Sequence, residues 1–162
     1  MKNGLEWIAE YSESHRHPTN KLLHWICVPA IMWTVIAFLW IIPVPEFMQQ
    51  LALSFELDPW LNWATIFMAI AMLFYISFGV KIFVAMLLMA LFMLWFTAWL
   101  EQNVSVAVWQ IALTVFVIAW IGQFIGHHIE GKKPSFFKDL QFLLVGPAWE
   151  LNYFFRKIGF IK

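Results

Sequence analysis

Residues 22–42, with the sequence LLHWICVPAIMWTVIAFLWII, decide the fold of this chain. The stretch holds no Asp, Glu, Lys or Arg. Its length suits a bilayer, because about 20 apolar residues in an α-helix cross the hydrocarbon core. Pro43 and Pro45 come next, and proline ends a helix because it lacks the amide donor. The stretch therefore predicts a membrane-spanning helix, and we expect Thr19 or Asn20 to cap its start.

Three more stretches have the same character, at residues 60–78, 82–100 and 104–125. The whole chain is 62% hydrophobic and 12% charged, whereas soluble domains are about 45–50% apolar and about 25% charged. A soluble helical bundle with an unusually apolar surface is the competing interpretation. Because backbone groups in hydrocarbon must bond to one another, we expect an all-α polytopic membrane protein with four transmembrane helices.

The two ends of the chain flank these helices within a single membrane domain, residues 1–162. The N-terminal segment, residues 1–21, predicts a short interfacial helix with an apolar face. The four helices occupy residues 22–125. The C-terminal segment, residues 126–162, contains an apolar stretch at 136–155 that an aspartate, a glycine and a proline interrupt. That stretch is typical of an interfacial or re-entrant helix rather than of a fifth span.

The placement of positive charge predicts the direction of the helices. Of the ten Lys and Arg residues, Lys81 lies between the second and third helices, and the rest lie in the two flanking segments. Cytoplasmic loops carry an excess of Lys and Arg, so we expect both termini in the cytoplasm. The membrane would be a bacterial inner membrane, or the endoplasmic reticulum in a eukaryote. A formal net charge of zero provides no basic field that would attract nucleic acid.

All five histidines lie at the edges of the apolar middle. They are His15, His17, His24, His127 and His128. Four crossings return the chain to the face it left, so both groups of histidines should meet at the cytoplasmic face. Gly122 and Gly126 support this meeting weakly, because small residues four apart let membrane helices approach closely. Imidazole is the commonest metal ligand in proteins, so the gathering suggests a metal site.

Several chemistries fit such a site. Two or three histidines with a carboxylate suit non-haem Fe(II), which keeps positions open for O₂ and substrate. Glu130 could supply the carboxylate, because it lies three residues from His127 on the same helix face. Haem held by His24 and His127 and a di-iron site of the histidine-box type remain open. So does a lipid-binding or assembly protein without catalysis.

Two blocks of the chain resemble the membrane 2-hydroxy fatty acid dioxygenases. The first block is residues 11–29, and its matching positions are His15, Pro18, Asn20, His24 and Pro29. The second block has Gln123, Gly126 and His127, followed by Glu130, Pro134, Pro147 and Glu150. The two blocks flank a variable apolar middle, and their joint occurrence in this order makes the resemblance fairly specific.

The resemblance implies an Fe(II)-dependent enzyme of fatty acid α-oxidation, which uses O₂ to shorten a 2-hydroxy fatty acid by one carbon. His15, His24 and His127 match the family's histidines and would be the catalytic iron ligands. His17 and His128 depart from the fungal pattern, and Glu130 lies one residue nearer to His127 than in that pattern. His128 and Glu130 are therefore secondary ligand candidates.

Further polar residues could support the iron ligands or hold the substrate. Asn20 and Glu150 match polar positions of the family pattern, and Arg16 and Lys132 could attract the carboxylate of the fatty acid, as could Lys21 and Lys133. We expect the acyl tail to lie among the helices, so the bilayer and the fatty acid are the predicted partners.

Overall fold

A computed structural model of the protein describes residues 3–12, 16–131 and 142–161, and every regular element in these ranges is helical. The helices are α1 (Gly4–Ser12), α2 (Pro18–Trp40), α3 (Glu46–Ser54), α4 (Trp63–Tyr75), α5 (Val80–Asn103), α6 (Val108–Glu130) and α7 (Val145–Lys157). A short 3₁₀ turn, Ile76–Phe78, continues α4. The expected all-α class is confirmed.

Three of the helices are long and apolar enough to cross a membrane, namely α2, α5 and α6. The stretch expected at residues 60–78 is shorter, because its helix begins only at Trp63. Asn62 caps that start, since its Oδ1 accepts a hydrogen bond of 3.1 Å from the amide of Thr65. Together with its 3₁₀ turn, α4 covers Trp63–Phe78, so it is an apolar helix below the length of a full span.

Contacts at one end of the molecule give the directions of three helices. Trp40, the last residue of α2, donates a 2.8 Å hydrogen bond from Nε1 to the carboxylate of Glu101 near the end of α5. The two helices therefore run parallel. Trp63, the first residue of α4, donates to the carbonyl of Pro43 at 3.2 Å, just beyond the end of α2. Helix α4 thus starts where α2 ends and returns in the opposite direction.

The most extensive helix contact joins α2 to α6, and it depends on two glycines. A Cβ on Gly122 would lie 2.6 Å from the Sγ of Cys27, and a Cβ on Gly126 would collide with Oδ1 of Asn20. Only glycine lets the two helices approach this closely. The expected close approach at these glycines is confirmed, and it brings the end of α6 against the start of α2.

Apolar side chains cover the outside of the helices as well as the core. Met32, Ile36 and Met86 are fully buried, while Leu73 and Ile118 remain 69% and 64% exposed. A water-soluble helix turns one apolar face inward and a polar face outward. Helices that are apolar on all sides are typical of a membrane protein, and the three long helices share this character.

The terminal helices α1 and α7 pack against each other beside α2. Trp149 of α7 donates a 2.7 Å hydrogen bond to Oγ of Ser12 at the end of α1. A Cβ on Gly146 would lie 2.8 Å from Val28 of α2, so α7 lies close against that helix. Both flanking segments thus contain helices, as expected, and their interfacial position stays a prediction.

Candidate active site

The start of α2 places the first group of histidines. His17 is the N-cap, and its Nδ1 accepts a 3.2 Å hydrogen bond from the amide of Thr19. The expectation that Thr19 or Asn20 caps this helix is wrong, because the helix already begins at Pro18. Proline suits the first helical position, where its missing amide hydrogen is not needed. His17 therefore has a structural role and lies exposed at the helix end.

His24 lies two turns further along α2 and is only 1% exposed. Its Nδ1 lies 2.9 Å from the backbone carbonyl of Asn20. A carbonyl oxygen only accepts hydrogen bonds, so Nδ1 must carry the proton in this contact. A neutral His24 then keeps its lone pair on Nε2. That nitrogen is the one able to bind a metal or accept a proton.

His127 of α6 meets His24 across the interface between the two helices. The ring centroids are 5.1 Å apart, and the rings are nearly perpendicular at 85°. His127 is 5% exposed, whereas its neighbour His128 is exposed on the outside of the helix. The structure thus joins two of the predicted ligands, His24 and His127, and leaves His128 away from them.

Glu130, the last residue of α6, binds the start of α2. Its carboxylate accepts hydrogen bonds from the backbone amides of Arg16 at 2.9 Å and His17 at 2.8 Å. It also accepts one of 3.1 Å from Nδ2 of Asn20, a fully buried side chain. The carboxylate lies at the N-terminus of α2, where free amides and the helix dipole favour negative charge. These hydrogen bonds hold the end of α6, which carries His127, against the start of α2, which carries His24.

Tyr11 of α1 lies beside the histidine pair, and sequence reasoning did not single it out as a site residue. Its ring centroid is 6.5 Å from that of His24 and 5.4 Å from that of Trp149. With Gln123, one turn before His127, Tyr11 lines a small cavity of about 20 Å³. That is room for one water-sized molecule. The only sequence signal was its position at the start of the first matching block.

Glu150 of α7 is a buried carboxyl group that is 6% exposed. Among the residues that the structure describes, its Oε1 has no hydrogen-bond partner. Burial raises the pKa of Glu150 to about 9, because the charged form loses its hydration. The side chain lines a cleft of about 220 Å³ whose other walls are mainly apolar, among them Pro29 and Met89. At neutral pH this carboxyl group is protonated.

Two of the described residues, His24 and His127, are imidazoles that could bind a metal. Within residues 3–12, 16–131 and 142–161, no three His, Cys, Asp or Glu side chains cluster closely enough to hold an ion. His15 and Lys132, both predicted site residues, lie outside the described residues. His24 and His127 suit a metal by their chemistry, since both are buried imidazoles in contact and a neutral His24 carries its lone pair on Nε2.

Comparison with known proteins finds a match over nearly the whole chain. The family model described as 2-hydroxy-palmitic acid dioxygenase Mpo1-like matches residues 1–158. The 2-hydroxy-palmitic acid dioxygenase MPO1 of Saccharomyces cerevisiae is 29% identical over 153 residues, which cover 93% of this chain and 79% of the yeast protein. No solved structure matches.

Proposed function

The chain belongs to the Mpo1-like family, and from this premise we propose that it is a membrane dioxygenase that shortens 2-hydroxy fatty acids by one carbon. The yeast relative is named for the same substrate class. The observation that carries the proposal is the buried contact between His24 and His127, at a centroid distance of 5.1 Å. It joins one histidine from each of the two matching blocks across the contact between α2 and α6.

The overall reaction balances with O₂ as the only oxidant. The bond between the carboxyl carbon and the carbon bearing the hydroxyl breaks. The carboxyl carbon leaves as carbon dioxide, and the hydroxyl carbon becomes the new carboxyl group. One molecule of O₂ takes up the four electrons released, and one molecule of water forms.

Fe(II) is the metal that this chemistry and these residues favour. His24, His127 and, from the part of the chain that the structure does not describe, His15 would hold it. Bound Fe(II) would supply open positions for O₂ and for the hydroxyl and carboxylate of the substrate. We assign Glu130 to support rather than to iron binding, because its carboxylate already accepts three hydrogen bonds.

The chain's own residues would orient the ligands and keep water out. The carbonyl of Asn20 holds the proton of His24 on Nδ1, which fixes the ring, and a metal would bind at Nε2. The side chain of Asn20 then links this turn to Glu130. Tyr11 of α1 packs against His24, and Trp149 of α7 packs against Tyr11. Arg16 and Lys132 would attract the carboxylate of the substrate from the cytoplasmic side.

We propose that the chain crosses the membrane four times with both termini in the cytoplasm. Glu130 contacts the amide of His17, so the end of α6 and the start of α2 lie at the same end of the molecule. An even number of crossings between them requires α4 as well as α2, α5 and α6. The distribution of Lys and Arg supports the cytoplasm as the shared side. Protease cleavage of terminal tags on sealed inside-out vesicles tests this orientation.

The function is tested with protein purified without oxygen and loaded with Fe(II). We expect about one iron per chain, O₂ uptake with 2-hydroxypalmitic acid, and a product that is one carbon shorter. Palmitic acid, which lacks the hydroxyl group, is the matched control and should cause no uptake. Iron without uptake would point to another substrate, and a Soret band would point to haem. A protein without stoichiometric metal would contradict the proposal in favour of lipid binding.

A further inference from the structure

An open groove runs between the start of α2 and the end of α7. Its volume is about 650 Å³. Lys21 and Trp25 line one side, and the other side is lined by Tyr153, Phe154 and Lys157. Lys21 and Trp25 lie on the part of α2 that faces α7. His24 contacts Tyr11 and His127 instead, and neither of these lines the groove. The groove is therefore separate from the histidine pair.

The groove continues into the cleft that Glu150 lines. Trp25 and Phe154 belong to the walls of both, so the two spaces adjoin. The cleft adds about 220 Å³ and extends to Pro29 and Met89. Apart from Glu150, its lining is apolar or aromatic. Because burial raises the pKa of Glu150 to about 9, this carboxyl group is neutral at physiological pH and compatible with a hydrocarbon chain.

The charges of the groove are all of one sign. Among the residues whose positions the structure gives, the lining contains two lysines and no carboxylate. Lys21 is half-buried, and its Nζ lies 5.4 Å from the centre of the Tyr153 ring. A lysine can lay its aliphatic stem along apolar surface and keep its ammonium at the polar edge. The groove thus offers a cationic end next to an aromatic and apolar passage, which complements an anionic amphiphile.

We propose that this groove docks the free 2-hydroxy fatty acid before it reaches the histidine pair. The carboxylate lies between Lys21 and Lys157, and the acyl chain passes Trp25 and Phe154 toward Met89. The combined volume of the two spaces falls in the range of about 300–1,000 Å³ that holds one small molecule. One acyl chain fits there better than a two-chain phospholipid does. The identity of the acid rests on the proposed function, whereas the preference for a single-chain carboxylate rests on the groove itself.

Photo-crosslinking tests the docking site independently of catalysis. Metal-free protein in phosphatidylcholine nanodiscs is illuminated with a 2-hydroxypalmitic acid analogue that carries a diazirine on its chain. Mass spectrometry then maps the labelled residues. We expect label on Trp25, Phe154 or Met89, and about tenfold less of it in the double variant Lys21→Gln/Lys157→Gln. Arg156→Gln is the matched control, because it removes a neighbouring charge of α7 that does not line the groove.

Three outcomes would overturn the docking site. The first is label that falls elsewhere, and the second is equal labelling of the double variant and of Arg156→Gln. The third is displacement of the label by phosphatidylglycerol, which would make the groove a phospholipid site. Lysine-dependent labelling in a protein without O₂ uptake would uphold the groove and overturn the proposed function. Turnover of the substrate without labelling of the groove would uphold the proposed function and overturn the docking site.

Discussion

The carboxylate of Glu130 accepts a hydrogen bond of 2.8 Å from the backbone amide of His17. The two residues are 113 positions apart in the chain, at the end of α6 and at the cap of α2. A second bond, from Asn20, attaches the same carboxylate to the turn whose carbonyl holds His24. The position of His24 relative to His127 thus depends on Glu130.

We predict that Glu130→Gln weakens this junction. The amide keeps one oxygen acceptor but turns an NH₂ group toward the amide donors at the start of α2. Loss of such a charged, partly buried acceptor costs about 1–3 kcal/mol. Thermal unfolding in detergent should show the loss, and iron affinity should fall with it. Glu46→Gln is the control, since Glu46 lies exposed in the first turn of α3. Equal unfolding temperatures for the two variants would contradict the prediction.

We predict that His24→Ala and His127→Ala each lose bound iron and O₂ uptake but still insert into the membrane. Both imidazoles are buried at the contact between α2 and α6. His128→Ala is the matched control, because this histidine is adjacent in sequence but exposed. Metal analysis of the three purified variants is the measurement. If the two buried-site variants keep stoichiometric iron, the metal assignment is wrong.

The sequence predicted the features that depend on a local pattern. Runs of apolar residues located α2, α5 and α6, and the spacing of Gly122 and Gly126 indicated the close approach of α2 and α6. The count of spans brought the two groups of histidines to one face. The contact of His24 with His127 agrees with that prediction.

Features that depend on tertiary contacts could not be predicted from local patterns in the sequence. The contact of Tyr11 with His24 depends on how α1 packs against α2 and α7, which no periodicity encodes. A histidine can accept a hydrogen bond as Asn or Ser does, but it is not among the preferred caps, so the role of His17 was missed. Glu130 stood out as a ligand candidate because a carboxylate near a histidine suggests both metal binding and helix capping, and only contacts distinguish the two.

We predict that Gly122→Ala destabilises the protein and that Cys27→Ala in the same chain restores much of the loss. A Cβ at Gly122 would lie 2.6 Å from Sγ of Cys27 and would push α6 away from α2. Overpacking of this kind costs about 1–3 kcal/mol. Removing the sulfur opens room for the new methyl group. Unfolding of the two single variants and the double variant forms a double-mutant cycle, and additive effects would show that the two residues do not meet.

Glu150 makes the stability of the protein depend on pH. Replacing Glu150 by glutamine should remove this dependence. Burial raises the pKa of Glu150 from 4.5 to about 9, so between these values the folded protein holds a proton that the unfolded chain has released. The contribution of this group to stability is fully present below about pH 4.5 and is lost as pH rises toward 9. The slope is about 1.4 kcal/mol per pH unit inside that window.

We therefore predict that Glu150→Gln flattens the profile of unfolding free energy between pH 6 and pH 8.5, by about 3 kcal/mol across that interval. Glutamine has nearly the shape of the protonated carboxyl group but cannot ionise, so the variant should equal or exceed the wild type in stability at the alkaline end. Subtracting one profile from the other removes the effects of groups that ionise alike in both proteins. Cys27, a buried thiol of α2, is a second titratable group to control. The subtraction is therefore repeated in a Cys27→Ala background, where a surviving difference in slope assigns it to the carboxyl group. Parallel profiles for wild type and variant would mean that Glu150 is already ionised at neutral pH, with a partner or water that stabilises its charge.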